Sequence, residues 1–445
     1  MKFVSIQLQE WRQFSKIDID FHPRLTIITG ANGSGKSTIL SLLEQNLTTS
    51  TVQPLLATPM NPAKKDGKRF SVSTLFGEAS RILRNAAARI DNPHLTKEYD
   101  IIGSIRFSNN NSGDAVTSKA DLCIPLNHEL QYSPNLIGAK LFSGFKISSH
   151  RPVPRYVNIT SIPVSGVAPK EAFDQFVQAQ RNYSNSESNH INGQYFTNPL
   201  ASLKQTLIGY AALGADNENM RANSELVGLF KGFQEVLRKV LPKEIGFEKL
   251  EVRSPEIVVV SQTGEFPIDA ASGGLMSLIQ TAWHIFLFST SHRGEASVLI
   301  DEPENHLHPS LQREFMAKLV VTFPDVQFVV VTHSPFIISS VKDSAVYALR
   351  YGGVLNSESP ESSGSAVYSE RIDLTAQAGT ASKILHEVLG VSVTIPIWAE
   401  RELQEITNRF ANSELTENSI SRLRVELEAA GLSEFFPEAI GMVAR

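Results

Sequence analysis

The apolar residues of the chain fall into two kinds of run, and the change from one to the other marks out the elements. Met1 to Leu8 alternates apolar and polar side chains, the period of a half-buried strand. Leu25-Thr26-Ile27-Ile28-Thr29, Ser297-Val298-Leu299-Ile300 and Phe328-Val329-Val330-Val331 are short, nearly continuous apolar runs, which predict strands buried on both faces. Strands are also predicted for Ile101 to Phe107 and Ala120 to Pro125, joined by the polar loop Asn109 to Lys119. Phe247 to Arg253 and Glu256 to Ser261 predict two more, followed by a Gln262-Thr263-Gly264 turn. Apolar positions return on a helical period in Ile39 to Leu43, Ala201 to Leu213 and Glu225 to Leu241. Asn182 to Gly193, rich in Asn and Ser, predicts a loop. Towards the end, Ser365 to Leu374 alternates like a strand and Ala381 to Leu389 suggests a short helix. Trp398 to Phe410 and Ser419 to Ala430 place Leu, Ile and Val on one helical face. Sustained heptads and internal repeats are absent.

One junction between these runs carries specific chemistry. Gly30-Ala31-Asn32-Gly33-Ser34-Gly35-Lys36-Ser37-Thr38 lies between a predicted buried strand and a predicted helix. That is the context the G-x-x-x-x-G-K-[ST] pattern requires. Its glycines let consecutive amides turn inward around phosphate oxygens, and the following helix points its positive end at the same anion. Lys36 is expected to reach the β- and γ-phosphates, and Ser37 to offer its hydroxyl to Mg²⁺. A glycine-rich loop that merely turns the chain is the alternative, and the full match in context weighs against it.

Three further junctions share the theme. The run Ser297 to Ile300 ends on Asp301-Glu302, at the carboxyl end of a strand where open α/β sheets place ligands. Asp301 is expected to hold the metal and Glu302 to polarise an attacking water. The run Phe328 to Val331 leads through Thr332 to His333, then Ser334-Pro335; His333 is read as a donor to a γ-phosphate. Ser272-Gly273-Gly274 precedes an apolar helical stretch, giving an N-cap and bare amides at a helix amino terminus. Taken alone, paired acids cap turns, a strand-end histidine is a satisfied polar residue, and Ser-Gly-Gly is a loop.

Composition narrows the setting. The 445 residues are 42% apolar and carry a net charge of −5, so no basic surface as a whole advertises nucleic acid. One cysteine, Cys123, excludes an internal disulfide and a thiolate zinc cluster. No apolar run has the length of a bilayer span, and the opening strand pattern is not that of a signal peptide, so a cytoplasmic protein without membrane contact is expected.

The four motifs, in this order, resemble the ABC-type ATPases, and more closely the RecF, Rad50/SMC and OLD-like branch with its AAA-labelled relatives of phage defence. The run Asp301-Glu302-Pro303-Glu304-Asn305-His306-Leu307-His308-Pro309 is similar to that branch's D-E-P-E-x-x-L-H-P, as is Thr332-His333-Ser334-Pro335. Trp11-Arg12-Gln13-Phe14 resembles the opening strands that hold base and ribose, which implicates Arg12 and Phe14. The resemblance implies an α/β fold, a P-loop ATPase head of mixed sheet flanked by helices, with an inserted strand-and-helix subdomain and a helical tail. The expected division is 1–60 and 246–392 for the two halves of the head, 61–245 for the insertion and 393–445 for the tail.

The resemblance further implies ATP and Mg²⁺ as cofactors and a homodimer or higher assembly that sandwiches ATP. In it Ser272, Gly273 and Gly274 of one chain meet the γ-phosphate held by Lys36 of the other. A switch coupled to a separate effector protein or to DNA is the expected function. A transporter's nucleotide-binding subunit and an ATP-dependent scaffold with negligible turnover are the alternatives. The metal-contacting glutamine of the family has no clear counterpart. Phe145 to Pro152 lies where it belongs, and His150 and Arg151 either face the nucleotide or cap the strand. The tail either docks a partner or folds onto its own core.

Overall fold

A computed structural model describes residues 1–49, 55–56, 99–109, 116–125, 131–138, 141–149, 151, 156–159, 161, 166–186, 198–216, 221–292, 294–352, 366–372, 384, 397–410 and 416–443. The chain divides into two units, Met1–Gly379 and Thr380–Arg445.

The first unit is built on an eleven-stranded mixed sheet. Its order is Asn135–Ile137, Val116–Pro125, Tyr99–Asn109, Lys2–Trp11, Phe14–Asp20, Ala366–Ile372, Ala345–Gly352, Leu25–Gly30, Val326–Val331, Ala296–Asp301 and Gly144–Ile147. From Ala345–Gly352 to the Gly144–Ile147 edge every neighbour is parallel. From the other edge to Phe14–Asp20 the strands are antiparallel. The continuous apolar runs occupy the parallel half. Leu25–Gly30, Ala296–Asp301 and Val326–Val331 are buried at every residue, as strands covered on both faces must be. The alternating segment Lys2–Trp11 lies in the antiparallel half, paired to Tyr99–Asn109, so the two strands read around residues 101–125 extend the same sheet as the P-loop.

Lys36–Glu44 forms the helix after the glycine-rich turn and buries Ile39, Leu40, Leu42 and Leu43. Helices Pro169–Ser186, Pro199–Gly214, Ser224–Val240 and Gly273–Ser291 follow, with a small antiparallel sheet of Phe247–Arg253, Glu256–Ser261 and Gly264–Pro267 before the last of them. Two details differ from the sequence reading. The Gln262-Thr263-Gly264 turn closes a hairpin onto a third strand. The helix from Pro169 runs through the Asn- and Ser-rich stretch as far as Ser186; the rest of that expected loop lies outside the described residues, as does most of Ala381 to Leu389.

The second unit has helices Ile397–Phe410, Glu417–Ala429 and Phe436–Val443, and a core of its own formed by Leu403, Ile406, Phe410, Leu423, Leu427 and Leu432.

Candidate phosphate-binding cleft

Three parallel strands deliver the candidate residues to one place. Leu25–Gly30 lies between Val326–Val331 and Ala345–Gly352, and Val326–Val331 in turn pairs Ala296–Asp301. The glycine-rich turn, the acidic pair and the histidine loop therefore leave adjacent carboxyl ends. Between them is a cleft of about 400 Å³ lined by Gln13, Asn32, Gly33, Gly35, Lys36, Ser37, Thr38, Glu302, Val331 and His333. That size suits a nucleotide-scale ligand.

The turn requires its glycines. Gly35 has φ 94°, and a Cβ there would lie 2.4 Å from Gln13 Nε2 and from Phe14 Cζ. Gly30 has φ 144°, and a Cβ would meet Leu349 O at 2.4 Å. Lys36 folds back over the loop, its Nζ donating to Gly30 O and Ala31 O at 2.9 Å each. Burial lowers its pKa to about 8, against the opposing pull of Glu302, Asp301 and Glu304. A bound phosphate would give this buried ammonium an anionic partner.

Ser37 Oγ lies 3.5 Å from Asp301 Oδ1. Burial raises the Asp301 pKa, with Lys146 the largest opposing influence. A hydroxyl and a carboxylate are hard oxygen donors of the kind Mg²⁺ takes, so Ser37 and Asp301 are the residues that would hold such an ion. Among the described residues there is no cluster of three or more His, Cys, Asp and Glu that could hold a metal ion.

Glu302 adopts φ 48°, a left-handed backbone that costs a non-glycine residue about 1–2 kcal/mol. Several hydrogen bonds keep it there. Its N–H donates to Val331 O at 2.8 Å, and its carbonyl accepts from Asn305 N at 3.2 Å and from Arg151 Nη2. Its carboxylate Oε2 accepts from Asn305 Nδ2 at 3.0 Å. Glu304 Oε1 accepts from His333 N at 2.8 Å and Ser334 N at 3.2 Å, which fixes the histidine loop. Burial lowers the His333 pKa and Lys36 lowers it further, so a neutral imidazole faces the cleft.

Other expected residues stand apart from the cleft. Phe14 is 2% exposed and packs behind Gly35; Arg12 has φ 52° and sits over the Trp11 ring; Gln13 between them is the one that lines the cleft. Ser272 caps helix Gly273–Ser291 through Leu275 N at 3.4 Å and is itself exposed. Gly274 is held against His306 O, where a Cβ would come within 2.9 Å. His150 lies outside the described residues. Gln13, Arg151 and Glu304 reach the site through contacts far apart in sequence, and Asn305 joins its near neighbour Glu302 to the distant Ser149. The Asp301 to Pro309 run was the one signal pointing to Glu304 and Asn305.

Residues 1–338 match the family described as AAA ATPase domain, AAA_15. The chain is 25% identical over 387 residues to the Retron Vc95 probable ATPase of Vibrio cholerae, covering 77% of this chain and 72% of that protein. It is 41% identical over 59 residues to the Retron Ec83 probable ATPase of Escherichia coli, 13% of this chain and 11% of that one. It is 33% identical over 82 residues to the Septu protein PtuA of Bacillus mycoides, 18% of this chain and 11% of that one. Among solved structures, the SMC head domain from Thermotoga maritima matches with a TM-score of 0.41 and 13% identity, covering 84% of this chain and 99% of that one.

Proposed function

Because the chain belongs to the AAA ATPase domain family, we propose that it binds ATP with Mg²⁺ in this cleft, hydrolyses it, and uses the cycle as a switch. The observation that carries the reading is the convergence of Lys36, Ser37, Glu302 and His333 on one cleft, with Ser37 and Asp301 within 3.5 Å. The loop amides and Lys36 take the phosphates, Ser37 and Asp301 hold the cation, and Glu302 accepts the proton of the attacking water. His333, neutral and held by the Glu304 clamp, donates to the γ-phosphate.

We further propose that the Ser272 to Gly274 turn, entered at the exposed Ser272, acts on the nucleotide of a second copy. A helix amino terminus whose capping serine is exposed to solvent can satisfy phosphate charge that one protomer leaves uncovered. ATP then holds two heads together and hydrolysis releases them. Similarity to two retron ATPases and a Septu protein supports a phage-defence setting with a separate effector; DNA is a further candidate partner. No helix among the described residues is long and apolar enough to cross a membrane.

The test is direct. Lys36→Ala should lose ATP binding. Glu302→Gln should keep binding, lose about 10²–10⁴ in turnover and accumulate an ATP-held dimer. Wild-type turnover in the glutamine variant removes Glu302 from the chemistry.

A further inference from the structure

Glu302 is held in its unusual backbone conformation by a residue that the nucleotide reading leaves without a role. Arg151 follows the edge strand Gly144–Ile147, which pairs in parallel with Ala296–Asp301, the strand that ends on the acidic pair. Its side chain does not line the cleft. It is 7% exposed, and its Nη2 donates to the Glu302 carbonyl. A second tie runs beside the first: Asn305 Nδ2 donates to Ser149 O and to Glu302 Oε2, both at 3.0 Å. Ser149 and Arg151 therefore hold Glu302 from two sides, Arg151 through the Glu302 backbone and Ser149 through Asn305, which reaches the carboxylate.

A left-handed glutamate persists only where its surroundings over-determine it. Here the Val331 carbonyl and the Asn305 amide satisfy the peptide within the turn. Among the described residues, Arg151 is the side chain that reaches that peptide from another strand. Its charge also suits the place. The guanidinium has three carboxylates for neighbours, Glu304, Asp301 and Glu302, and its Nε and Nη1 are buried without partners, so the cation is committed to this cluster and not to solvent.

We infer that Arg151, with Asn305, is a positioning residue for ATP hydrolysis: it fixes the Glu302 peptide so that the carboxylate is aimed at the attacking water. This rests on the reading of Glu302 as the water-activating group. The phosphate grip lies elsewhere, in the 30–38 loop, so loss of Arg151 acts on turnover and leaves affinity alone. Misplacement of a reacting group by about 1 Å is worth about a hundredfold in rate, which sets the scale.

The experiment is steady-state ATPase kinetics with a separate binding titration, on full-length wild type, Arg151→Met, Arg151→Lys, Asn305→Ala, Glu302→Gln and the Arg151→Met/Glu302→Gln double variant. Arg151→Met should lower kcat by about ten- to a hundredfold with KM and nucleotide affinity within about threefold. Arg151→Lys, which keeps a donor and the charge, should recover part of it. The double variant should be no slower than Glu302→Gln alone, because both changes remove the same contribution. Wild-type kcat in Arg151→Met, additive losses in the double variant, or a matching loss of ATP affinity overturns the inference while Glu302→Gln remains inactive. An active Glu302→Gln instead overturns the reading beneath it, so the two failures are told apart. Should Arg151→Met fail to fold, Asn305→Ala reads the other tie: a lowered kcat at unchanged KM supports the inference, and a wild-type kcat overturns it.

Discussion

Single residues in this chain reveal their roles to the extent that those roles are local. The spacing of Gly30, Gly33, Gly35 and Lys36 is legible in the sequence because it encodes a backbone path, and that path is what the structure adopts. Arg151 stood out only as a residue that faces the nucleotide or caps its strand; its bond to Glu302, like the place of Gln13, was not legible, because their partners are 151 and 20 residues away. His284 is another residue whose character comes from its surroundings. It is 3% exposed, its ring centroid lies 4.3 Å from Phe145 and 5.0 Å from Phe173, and neither ring nitrogen has a partner. Burial drives its pKa down to about 3. In the unfolded chain the imidazole takes a proton below about pH 6.5, whereas the folded chain refuses it down to about pH 3. The contribution of His284 is thus fully present above that upper value and is lost as pH falls through the window, at up to about 1.4 kcal/mol per unit. His284→Leu should therefore show a flatter acid limb, its stability relative to wild type improving between pH 8 and pH 5. Urea midpoints at the two pH values check this, and an equal difference at both refutes it.

At the scale of elements, what can be read depends on how strongly burial imprints the sequence. Strands covered on both faces must be apolar throughout, which is why Leu25–Gly30, Ala296–Asp301 and Val326–Val331 stood out. Helix Pro169–Ser186 did not, its exposed positions being the polar Lys170, Glu171, Asp174, Gln175, Gln178 and Arg181; the buried positions Ala172, Phe173, Phe176 and Ala179 did carry a helical period that could have found it. Ion pairs between elements leave no sequence pattern at all. Lys204, fully buried in helix Pro199–Gly214, donates to Glu256 Oε2 at 2.6 Å, Asp269 Oδ2 at 2.7 Å and Val157 O at 3.1 Å. It joins that helix to the small sheet and to the turn Ile268–Ala270 that leads into Ser272. Breaking a buried pair from one side strands the other charge, a loss of about 3–5 kcal/mol. Lys204→Met should thus destabilise the protein by that amount, and adding Asp269→Asn should restore part of it, since the stranded carboxylate is then neutral. Denaturant unfolding of the single and double variants decides. A single variant within about 1 kcal/mol of wild type would mean the three charges are solvated in solution.

For the whole molecule, the sequence supplied the parts but not their order. That Gly144–Ile147 closes one edge and Ala366–Ile372 enters beside Phe14–Asp20 follows from long-range pairing, which periodicity cannot report. Neither can periodicity show whether the site is complete within one chain. The cleft collects Lys36, Ser37, Glu302 and His333, while Ser272 stands exposed at the start of its own helix and is not among the lining residues. If Ser272 serves a neighbour's nucleotide, two crippled proteins should rescue each other. In a pair of Glu302→Gln and Ser272→Arg chains, one of the two composite sites carries both lesions and the other carries neither. Random pairing makes half the dimers mixed, each with one intact site of two, so an equimolar mixture should regain about a quarter of wild-type turnover where each protein alone is nearly inactive. If instead Ser272 serves the nucleotide of its own chain, every site in the mixture is damaged and nothing is regained. Phosphate release measured on the separate and mixed proteins, with melting curves to show that Ser272→Arg is folded despite losing its helix cap, distinguishes the two geometries without knowledge of the effector or trigger. Absence of rescue, with both variants folded and able to bind ATP, would end the two-chain site.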